Sequence, residues 1–378
     1  MFGKLEWLSK RHALAITRPI PQKMKGSPKY QMLVLDARAS STMDSPILSV
    51  VVVSRNTREM TLRCLRALGG ALNGVTAEIF VVDNGSSDGS GGAIAREFPA
   101  TRLLRNECNR GFGAANNQAL RLARGEFVLL LNSDAFPKES AISRLLEYAR
   151  LHPRGAVFGP RLLNEDGSLQ PSCFRFPSPS RAIWEHLLLT AALPDHPVFG
   201  DYRGWAHDGE REVDFVSGAC WLVRRAAMEE VGTFDENFFL YAEETDWAKR
   251  FSQANWKTRF VPDAEVVHLG GGSAGGETGA QPDRVFNEFH RGQERFIRKH
   301  FGAGGLLVYR VATVFGACLR TALFGVAALT KPGSRRTSLS MVTQWRRILS
   351  WTLGKRGPGL QELEQELEQK SKAEFIGK

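Results

Sequence analysis

The sequence predicts an α/β fold in which helices cover a mostly parallel sheet, followed by a helical C-terminal extension. Two observations support this prediction. Residues 47–53 (ILSVVVV) form a β-branched apolar run that is typical of a strand buried on both faces. From there to residue 134, short strands and helices alternate, which is the pattern of a parallel sheet with helices on its faces.

The elements of the first half follow one another closely. Apolar residues at Met60, Cys64, Leu65 and Leu68 have helical spacing and predict a helix that ends at a pair of glycines. A strand over 76–84 then runs into a Gly/Ser loop. The remaining segments are, in order, a short helix over 91–98, a strand over 101–106, a helix over 116–125 and a strand over 126–134.

The second half is less regular. After a helix over 140–153, the pattern loosens from 153 to 210, where Pro, Gly and aromatic residues are frequent. The Gly-rich stretch 271–282 is expected to be mobile. The predicted regular elements are a strand over 213–224, helices over 225–231 and 243–254, a strand over 257–261, a short strand ending at His268, and a helix over 284–302.

Composition and charge restrict the class of protein. With 378 residues and 43% hydrophobic content, the chain can bury a large core. The formal net charge of +10 favours an anionic partner, but the basic excess lies in residues 1–40 and 291–356, on either side of a nearly balanced middle. We therefore predict no nucleic-acid partner. Three regions are predicted: a variable basic arm (1–44), a catalytic domain (45–300) and a basic amphipathic helical region (301–378).

Cysteine usage and the N-terminal sequence bear on location. The five cysteines are scattered and form no CxxC pair, which disfavours a disulfide framework or a zinc site and favours a reducing cytosol. The N-terminal 26 residues lack the uncharged apolar core of a signal peptide. Both features predict a cytoplasmic protein.

Two acidic residues stand where predicted parallel strands end. Asp83 and Asp134 should meet at one rim, because ligands of such sheets bind beyond the carboxyl ends of the strands. Asp83 suits a hydrogen bond from a base or ribose, and capping of a turn is the alternative. Asp134 suits a hard divalent cation bound together with diphosphate oxygens, and capping of a helix is an equally supported alternative.

Two other motifs suggest different enzymes. Residues 85–89 (GSSDG) satisfy the G-x-S-x-G pattern of serine hydrolases, and Asp246 and His268 follow in the order that a triad needs. A long loop in place of a tight turn argues against this hypothesis. The stretch NRGFGAANN has Asn116 where a dinucleotide fingerprint needs glycine, which disfavours a nicotinamide enzyme. Its backbone N–H groups could still meet a phosphate or ribose.

A third acidic motif, AEETD, opens a predicted helix. It contains Glu243, Glu244 and Asp246 among aromatic residues. A partly buried carboxylate with a like-charged neighbour has a raised pKa and suits a general base. The alternative is that these acids simply interact with the helix dipole. His268 closes a strand, where it is either structural or part of a metal shell.

Six stretches, taken together and in this order, resemble glycosyltransferase family 2, the inverting transferases of the GT-A fold with its Rossmann-like sheet. The match is closest to the bacterial rhamnosyltransferase-like branch. The stretches cover residues 46 to about 300, and the ordered set is specific although each motif alone is weak. They are SVVVVSRN, VVDNGSSDGS, NRGFGAANNQAL, LLLNSD, SGACWLVRRAAMEEVGTFDENFFLYAEETDW and VVHLGGGS.

The resemblance implies roles for individual residues. Glu244 stands where the family has its catalytic base, with Glu243 and Asp246 as further candidates. The NSD motif stands at the family's D-x-D with Asn132 in place of the first acid, so Asp134 would bind Mg²⁺ or Mn²⁺ near His268. The residues expected to shape the donor-sugar and acceptor side are Gly218, Ala219 and Trp221. Those expected to line the nucleotide pocket are Ser54, Arg55, Asn56, Asp83, Asn84, Asn109, Gly111, Phe112, Gly113, Asn116, Asn132, Ser133 and Asp134.

The resemblance also implies an activity. We expect metal-dependent, inverting transfer of a sugar from a nucleotide diphosphate to a lipid-linked or polysaccharide acceptor in cell-envelope glycan synthesis. Rhamnose from dTDP-rhamnose is the sugar that fits the resemblance best. A non-catalytic nucleotide-sugar-binding or scaffold protein is the alternative, and the sequence leaves homo-oligomerisation open.

The C-terminal region carries apolar segments flanked by basic residues. In the stretch 304–329, Arg310 and Arg320 fall in one narrow polar sector, which predicts a helix lying in a membrane interface and not a span. In 335–356, one helix face is apolar and includes Trp345 and Ile348, which is typical of membrane-surface binding. Packing against the catalytic domain or a partner subunit is the alternative. A short charged helix over 360–369 follows. We predict peripheral attachment at the inner face of the cell membrane.

Overall fold

A computed structural model describes residues 46–194, 196–270 and 282–354. The predicted arm 1–44, nearly all of the Gly-rich stretch and the charged segment 360–369 lie outside these residues. The described chain forms a ten-stranded sheet with helices on both faces, a two-stranded sheet beside it, and a group of C-terminal helices. The predicted α/β architecture with a helical C-terminal extension is confirmed.

The first part of the sheet is parallel. Its strands lie side by side in the order third, second, first, fourth, so their carboxyl ends meet at one rim. In this register Ser54 pairs with Asp83, and Val53 pairs with Asn132. The strands are β1 (Leu48–Ser54), β2 (Ala77–Asn84), β3 (Arg102–Asn106) and β4 (Phe127–Asn132), and the helices between them are α1 (Arg58–Ala71), α2 (Ser90–Glu97) and α3 (Phe112–Leu120).

The later strands make the whole sheet mixed. They are β5 (Ala135–Pro137), β6 (Gly155–Leu163), β7 (Leu169–Gln170), β8 (Cys173–Phe174), β9 (Arg211–Val213), β10 (Phe215–Val216), β11 (Cys220–Arg224) and β12 (Lys257–His268). β11 runs antiparallel to β4 and β6, whereas β12 is parallel to β6 and antiparallel to β5 and β9. Because β5 pairs with the end of β12, His268 lies opposite Ala135 and therefore next to Asp134.

Two strand predictions need correction. The predicted strand 213–224 is divided into β9, β10 and β11, because the indole N–H of Trp221 donates to the carbonyls of Val216 and Ser217 and folds the segment back on itself. Conversely, the two predicted strands from 257 to 268 form one strand, β12, whose pairing with β6 shifts register between Val261 and Glu265.

The remaining helices are α4 (Ala141–Leu151), α5 (Pro179–His186), α6 (Leu189–Ala192), α7 (Arg225–Val231), α8 (Glu243–Gln253), α9 (Pro282–Thr330) and α10 (Arg335–Thr352). Of these helices, α4, α7 and α8 pack on the sheet, whereas α5, α6, α9 and α10 pack mainly on one another. Along β1, Val50 and Val52 join the apolar layer of α1, α2 and α4, while Val51 joins the layer of α3, α7 and α8. The alternation along one strand therefore fixes a three-layer arrangement.

The C-terminal helices contact the rest of the protein through the polar sector predicted for residues 304–329. The break in α9 at Gly302, where φ is 71°, lies beside the predicted boundary at residue 300. The Arg310 guanidinium pairs with Glu294, and the Arg320 guanidinium donates to the carbonyls of Glu185 and His186 on α5. The polar sector of α9 thus faces the protein, and the apolar face of α10 is half-buried against α9.

Trp247 joins the helical layer to the sheet, and its removal should destabilise the domain. Its fully buried ring packs against Phe234 and Phe251 with centroids 4.3 and 5.0 Å away, and its indole N–H donates to the Gly232 carbonyl. We expect Trp247→Ala to lower the free energy of unfolding by about 3–5 kcal/mol, measured by guanidinium denaturation. Leu151→Ala, at a site that is 71% exposed, is the control and should change it by less than about 0.5 kcal/mol. Equal midpoints for the two variants would contradict this account of the core.

Candidate active site

An amide network organises the rim at the ends of β2 and β3. The side-chain nitrogen of Asn84 donates to Asn109 Oδ1 (3.0 Å) and to the Gly111 carbonyl (3.3 Å). Its oxygen accepts from Asn106 Nδ2 and from the Arg110 backbone N–H, both at 3.0 Å. Asn84 therefore holds the NRGFG loop against the end of its own strand.

Asp83 precedes Asn84 and is buried at the same rim. Its carboxylate accepts from the Ser86 N–H at 3.0 Å and lies 4.0 Å from Arg105 Nε. A side chain at Gly91 would collide with this pair, because an added Cβ would lie 2.3 Å from Asp83 Oδ2. The loop after β2 is thus built closely around the Asp83 carboxylate, and the turn-capping contact that the sequence left open is present.

Asn56 ties the loop after β1 to the loop after β2. It adopts a left-handed backbone (φ 51°), its N–H donates to Ser86 Oγ, and its side-chain oxygen accepts from the Ser87 N–H at 2.8 Å. The neighbouring Arg55 is exposed. The loops after β1 and β2 therefore form one edge of the rim together.

Two of the predicted pocket residues lie beneath the rim. The buried hydroxyls of Ser54 and Ser133 belong to one cluster with Thr57 and Thr61, with oxygen separations of 2.8–3.2 Å. This cluster links the end of β1 to the end of β4. Both serines thus contribute to the floor of the site through their shared contact with Thr57.

The NRGFG loop packs against the segment that leads to α8. Gly111 has φ 87°, and an added Cβ would lie 2.7 Å from the Phe239 carbonyl, which accepts the Phe112 N–H at 2.9 Å. A Cβ on Gly113 would lie 3.2 Å from Phe234. Glycine is therefore required at position 111, both by its backbone conformation and by the close approach of the Phe239 carbonyl.

Asn116 and its neighbour fix this loop from α3. Asn116 Nδ2 donates to the Phe112 carbonyl, while the buried Asn117 side chain bonds both the N–H and the carbonyl of Phe234. Asn117 also contacts Glu236. The sequence analysis did not single out Asn117, because one asparagine inside a helix gives no sign that it clamps a distant segment.

Asp134 and His268 face each other at the opposite part of the rim. Asp134 is buried, and its Oδ1 lies 3.5 Å from His268 Nε2. His268 Nδ1 lies 2.7 Å from Gln170 Oε1, and the Gln170 amide nitrogen donates to Asn164 Oδ1 and to the His268 carbonyl. Because both donors of Gln170 are occupied, its oxygen accepts from Nδ1–H of His268, and Nε2 faces Asp134.

The donor set at this position suits a hard divalent cation. A carboxylate and an imidazole nitrogen converge, and Asn132 Oδ1 is a buried polar atom that lacks a hydrogen-bond partner within the described chain. In residues 46–194, 196–270 and 282–354, no group of three or more His, Cys, Asp or Glu side chains could hold a metal ion. The Asp134 carboxylate and the His268 imidazole are thus the groups that could bind such an ion.

The AEETD motif begins α8 after a strained turn. Tyr241 and Ala242 have φ values of 67° and 68°, which non-glycine residues rarely adopt. Glu243 is buried with Oε2 lacking a partner among the described residues, whereas Glu244 is half-buried. An added Cβ on Gly218 would lie 3.5 Å from Glu244 Cγ. Glu244 therefore lies directly beside the turn that precedes β11.

This turn connects Glu244 to the end of β4. The Ala219 carbonyl, next to Gly218, accepts the Asn132 N–H at 2.9 Å. Trp221 lies below, fully buried, with its ring 6.2 Å from that of Trp247. Gly218 and Ala219 thus border the site, while Trp221 supports it from the core.

The three carboxylates of α8 have different environments. Burial raises the pKa of Glu244, and burial together with the charge of Glu244 raises the pKa of Glu243 well above its usual range. Burial alone would also raise the pKa of Asp246. Hydrogen bonds from His300 and Lys299 and the charge of Arg250 outweigh that effect and hold the pKa of Asp246 below its usual value.

Asp246 is the centre of a buried ionic network. It accepts from Arg250 Nε at 2.9 Å, Lys299 Nζ at 2.7 Å and His300 Nε2 at 2.9 Å. Lys299 and His300 belong to α9, so this carboxylate fastens the C-terminal extension to α8. The basic run around His300 gave no sequence signal for this contact, since its partner lies 54 residues away.

The structure does not assemble the Ser–His–Asp triad that a serine hydrolase would need. Ser87 contacts Asn56, His268 contacts Gln170 and Asp134, and Asp246 bonds His300. The three residues of the proposed triad therefore have separate partners.

Comparison with known proteins identifies the family of this chain. The model of the family described as Glycosyl transferase family 2 matches residues 49–232. The N-acetylglucosaminyl-diphospho-decaprenol L-rhamnosyltransferase of Mycobacterium tuberculosis (strain ATCC 25618 / H37Rv) is 31% identical over 308 residues, which are 78% of this chain and 98% of the relative. The low-salt glycan biosynthesis hexosyltransferase Agl10 of Haloferax volcanii is 26% identical, over 58% of this chain and 66% of the relative.

Among solved structures, the mannosyltransferase PcManGT from Pyrobaculum calidifontis, in complex with GDP-Man and Mn²⁺, matches with a TM-score of 0.49 and 17% identity. That match covers 87% of this chain and 92% of the mannosyltransferase chain. The rhamnosyltransferase is matched over almost its whole length. The family predicted from the ordered motifs is thereby confirmed: this chain belongs to glycosyl transferase family 2 and is a glycosyltransferase.

Proposed function

We propose that this protein is an inverting glycosyltransferase that moves rhamnose from dTDP-rhamnose to a lipid-linked acceptor in cell-envelope glycan synthesis. The observation that carries the proposal is the position of Glu244, a half-buried carboxylate beside the Gly218 turn, which is bonded to the same rim as Asp134. The choice of sugar and acceptor rests on the name of the mycobacterial relative, which covers most of this chain.

The proposed chemistry is a single displacement. Glu244 accepts the proton of an acceptor hydroxyl, whose oxygen bonds to the anomeric carbon as the bond from that carbon to the diphosphate breaks. Attack from the side opposite the diphosphate inverts the anomeric centre. Of the α8 carboxylates, Glu243 is buried and Asp246 is already bonded to three basic side chains, so Glu244 has the environment that a base requires.

The proposed donor site is the rim itself. Asp83 and Asn84 hold the nucleoside end, together with the NRGFG loop that Asn84 positions. Asp134 and His268 would hold Mg²⁺ or Mn²⁺ through a carboxylate oxygen and the Nε2 lone pair. Such an ion, when bound, would neutralise charge on the departing diphosphate.

We further propose that the C-terminal helices attach the enzyme to the inner surface of the cell membrane. The outward side of α9 is apolar from Leu307 to Leu329, and residues 295–354 contain Lys and Arg but no Asp or Glu. Apolar residues backed by basic ones favour an anionic lipid surface. One helical stretch within the described residues, Val285–Thr330, is long and apolar enough to span a membrane, which by itself is weak evidence.

Replacement of Glu244 should stop the chemical step. Glu244→Gln keeps the shape of the side chain but cannot accept the proton, so we expect kcat to fall by about 10²- to 10⁴-fold with donor binding unchanged. Since burial raises the pKa of Glu244, the acidic limb of the wild-type kcat/KM profile should lie above the usual carboxyl range, because activity is lost as pH falls through that pKa. Glu243→Gln is the matched control and should lose far less activity, because its carboxyl already favours the protonated form. Wild-type kcat in Glu244→Gln would exclude this residue as the base.

Metal affinity should depend on Asp134 and, through His268, on Gln170. We expect Asp134→Ala to abolish Mn²⁺ binding in the presence of dTDP, and Gln170→Ala to weaken it by about 10–100-fold, because the amide oxygen orients the imidazole. Electron paramagnetic resonance of free Mn²⁺ measures both effects. Glu165→Ala, an exposed change in the same hairpin, should bind Mn²⁺ like the wild type. Unchanged affinity in Asp134→Ala would contradict the proposed metal position.

Introducing negative charge on the outer side of α9 should release the protein from membranes. Val311 and Phe315 are 61% and 52% exposed, so Val311→Glu with Phe315→Glu should not disturb the core. We expect this double variant to lose most of its co-sedimentation with vesicles that contain anionic phospholipid, because it places charge where apolar contact is needed. Leu151→Glu, on α4, is the control for an added exposed acid. Sedimentation of the double variant at the wild-type level would refute attachment through α9.

A further inference from the structure

An apolar pocket lies between the first turns of α9 and the last turns of α10. Its volume is about 430 Å³. Three aromatic side chains, those of Tyr241, Phe286 and Phe289, form its walls together with His290, Arg347 and Ile348. The Tyr241 and Phe289 rings meet edge to face at 5.9 Å. Aromatic rings therefore form much of the pocket wall.

Apart from one tyrosine, the polar side chains that line the pocket are Gln344, which is exposed, Arg347 and His290. Arg347 pairs with Asp283, and its guanidinium lies 3.9 Å from the centre of the Phe286 ring. Burial and the nearby Arg347 charge lower the pKa of His290 to about 4, so its ring is neutral at physiological pH. The aromatic rings and the Ile348 side chain therefore form most of the surface that an occupant would contact, with the Arg347 guanidinium at the edge.

The pocket adjoins the proposed base through one short segment. Tyr241 is three residues before Glu244, and its strained backbone packs on α9, where an added Cβ on Gly292 would lie 2.5 Å from the Tyr241 carbonyl. The pocket and the proposed base therefore lie on the same short segment, and the helix that forms one wall of the pocket also carries the exposed apolar residues from Leu307 to Leu329.

We propose that this pocket binds the hydrocarbon chain of the acceptor, next to its diphosphate. The inference rests on the proposed function, in which the acceptor is a sugar linked through diphosphate to a long-chain alcohol. Aromatic and aliphatic walls fit an isoprenoid chain, and the surrounding stretch 295–354, which is basic and contains no acid, fits the diphosphate by charge. An acceptor without lipid would find few hydrogen-bonding groups here.

A variant that fills the pocket tests the proposal. Ile348→Trp adds bulk inside it, and Thr343→Trp adds the same ring at an exposed position on the same helix. The probe is a fluorescent polyprenyl diphosphate without sugar, added to the full chain in detergent. We expect Ile348→Trp to raise the Kd of the probe at least about tenfold, since it displaces two or more methylene groups from apolar contact. Thr343→Trp should bind the probe like the wild type, and both variants should bind dTDP and Mn²⁺ unchanged.

A kinetic experiment distinguishes failure of this proposal from failure of the proposed function. With acceptors that carry a polyprenyl chain or a short alkyl chain, Ile348→Trp should raise KM for the former and leave KM for the latter unchanged. Probe binding by Ile348→Trp at the wild-type affinity would overturn the lipid pocket, whether or not the enzyme transfers sugar. Equal wild-type KM values for the two acceptors would overturn it as well. Absence of transfer to either acceptor, with probe binding lost in Ile348→Trp, would retain the pocket and refute the proposed function.

Discussion

The buried carboxylate of Asp246 is the interaction on which the arrangement of this protein depends. An ionised group without access to water must be compensated, and here Arg250, Lys299 and His300 compensate it from two helices. Because Lys299 and His300 belong to α9, separating the C-terminal extension from the helix that carries Glu244 would remove two of the three partners of this carboxylate. The candidate active site and the C-terminal helices are thereby held together.

The same balance of burial and compensating charge gives the three neighbouring acids of α8 different pKa shifts. Asp246 stays ionised because cations surround it, whereas Glu243 is buried beside Glu244 without such partners and favours its neutral form. Glu244 lies between these extremes, half-buried and next to a glycine that leaves room for a substrate. Adjacent residues of one helical turn thus acquire different chemistry through what packs against them.

The C-terminal helices reverse the usual polarity of a surface helix. Arg310 and Arg320 point towards protein acceptors on α9 and α5, and apolar residues such as Val311 and Leu329 face outwards. In water such a face is unfavourable, and in a bilayer surface it is stabilising. This orientation, the basic stretch and the pocket beside Tyr241 all belong to the C-terminal helices, to which we assign the contact with a lipid-linked substrate.

The sequence by itself determined the strand and helix order of the first half, because the β-branched run of β1 and the spacing of Met60, Cys64 and Leu68 depend on local periodicity. It also located Asp83 and Asp134 at one rim, since parallel strands must end at one edge. Tertiary structure alone decided that Gln170 orients His268, that Asn117 clamps Phe234 and that His300 reaches Asp246. These contacts join positions far apart in the chain, and a single polar residue carries no local pattern that names its partner. The outward face of α9 was undecided for the same reason, because periodicity defines two faces of a helix and only packing determines which one is covered.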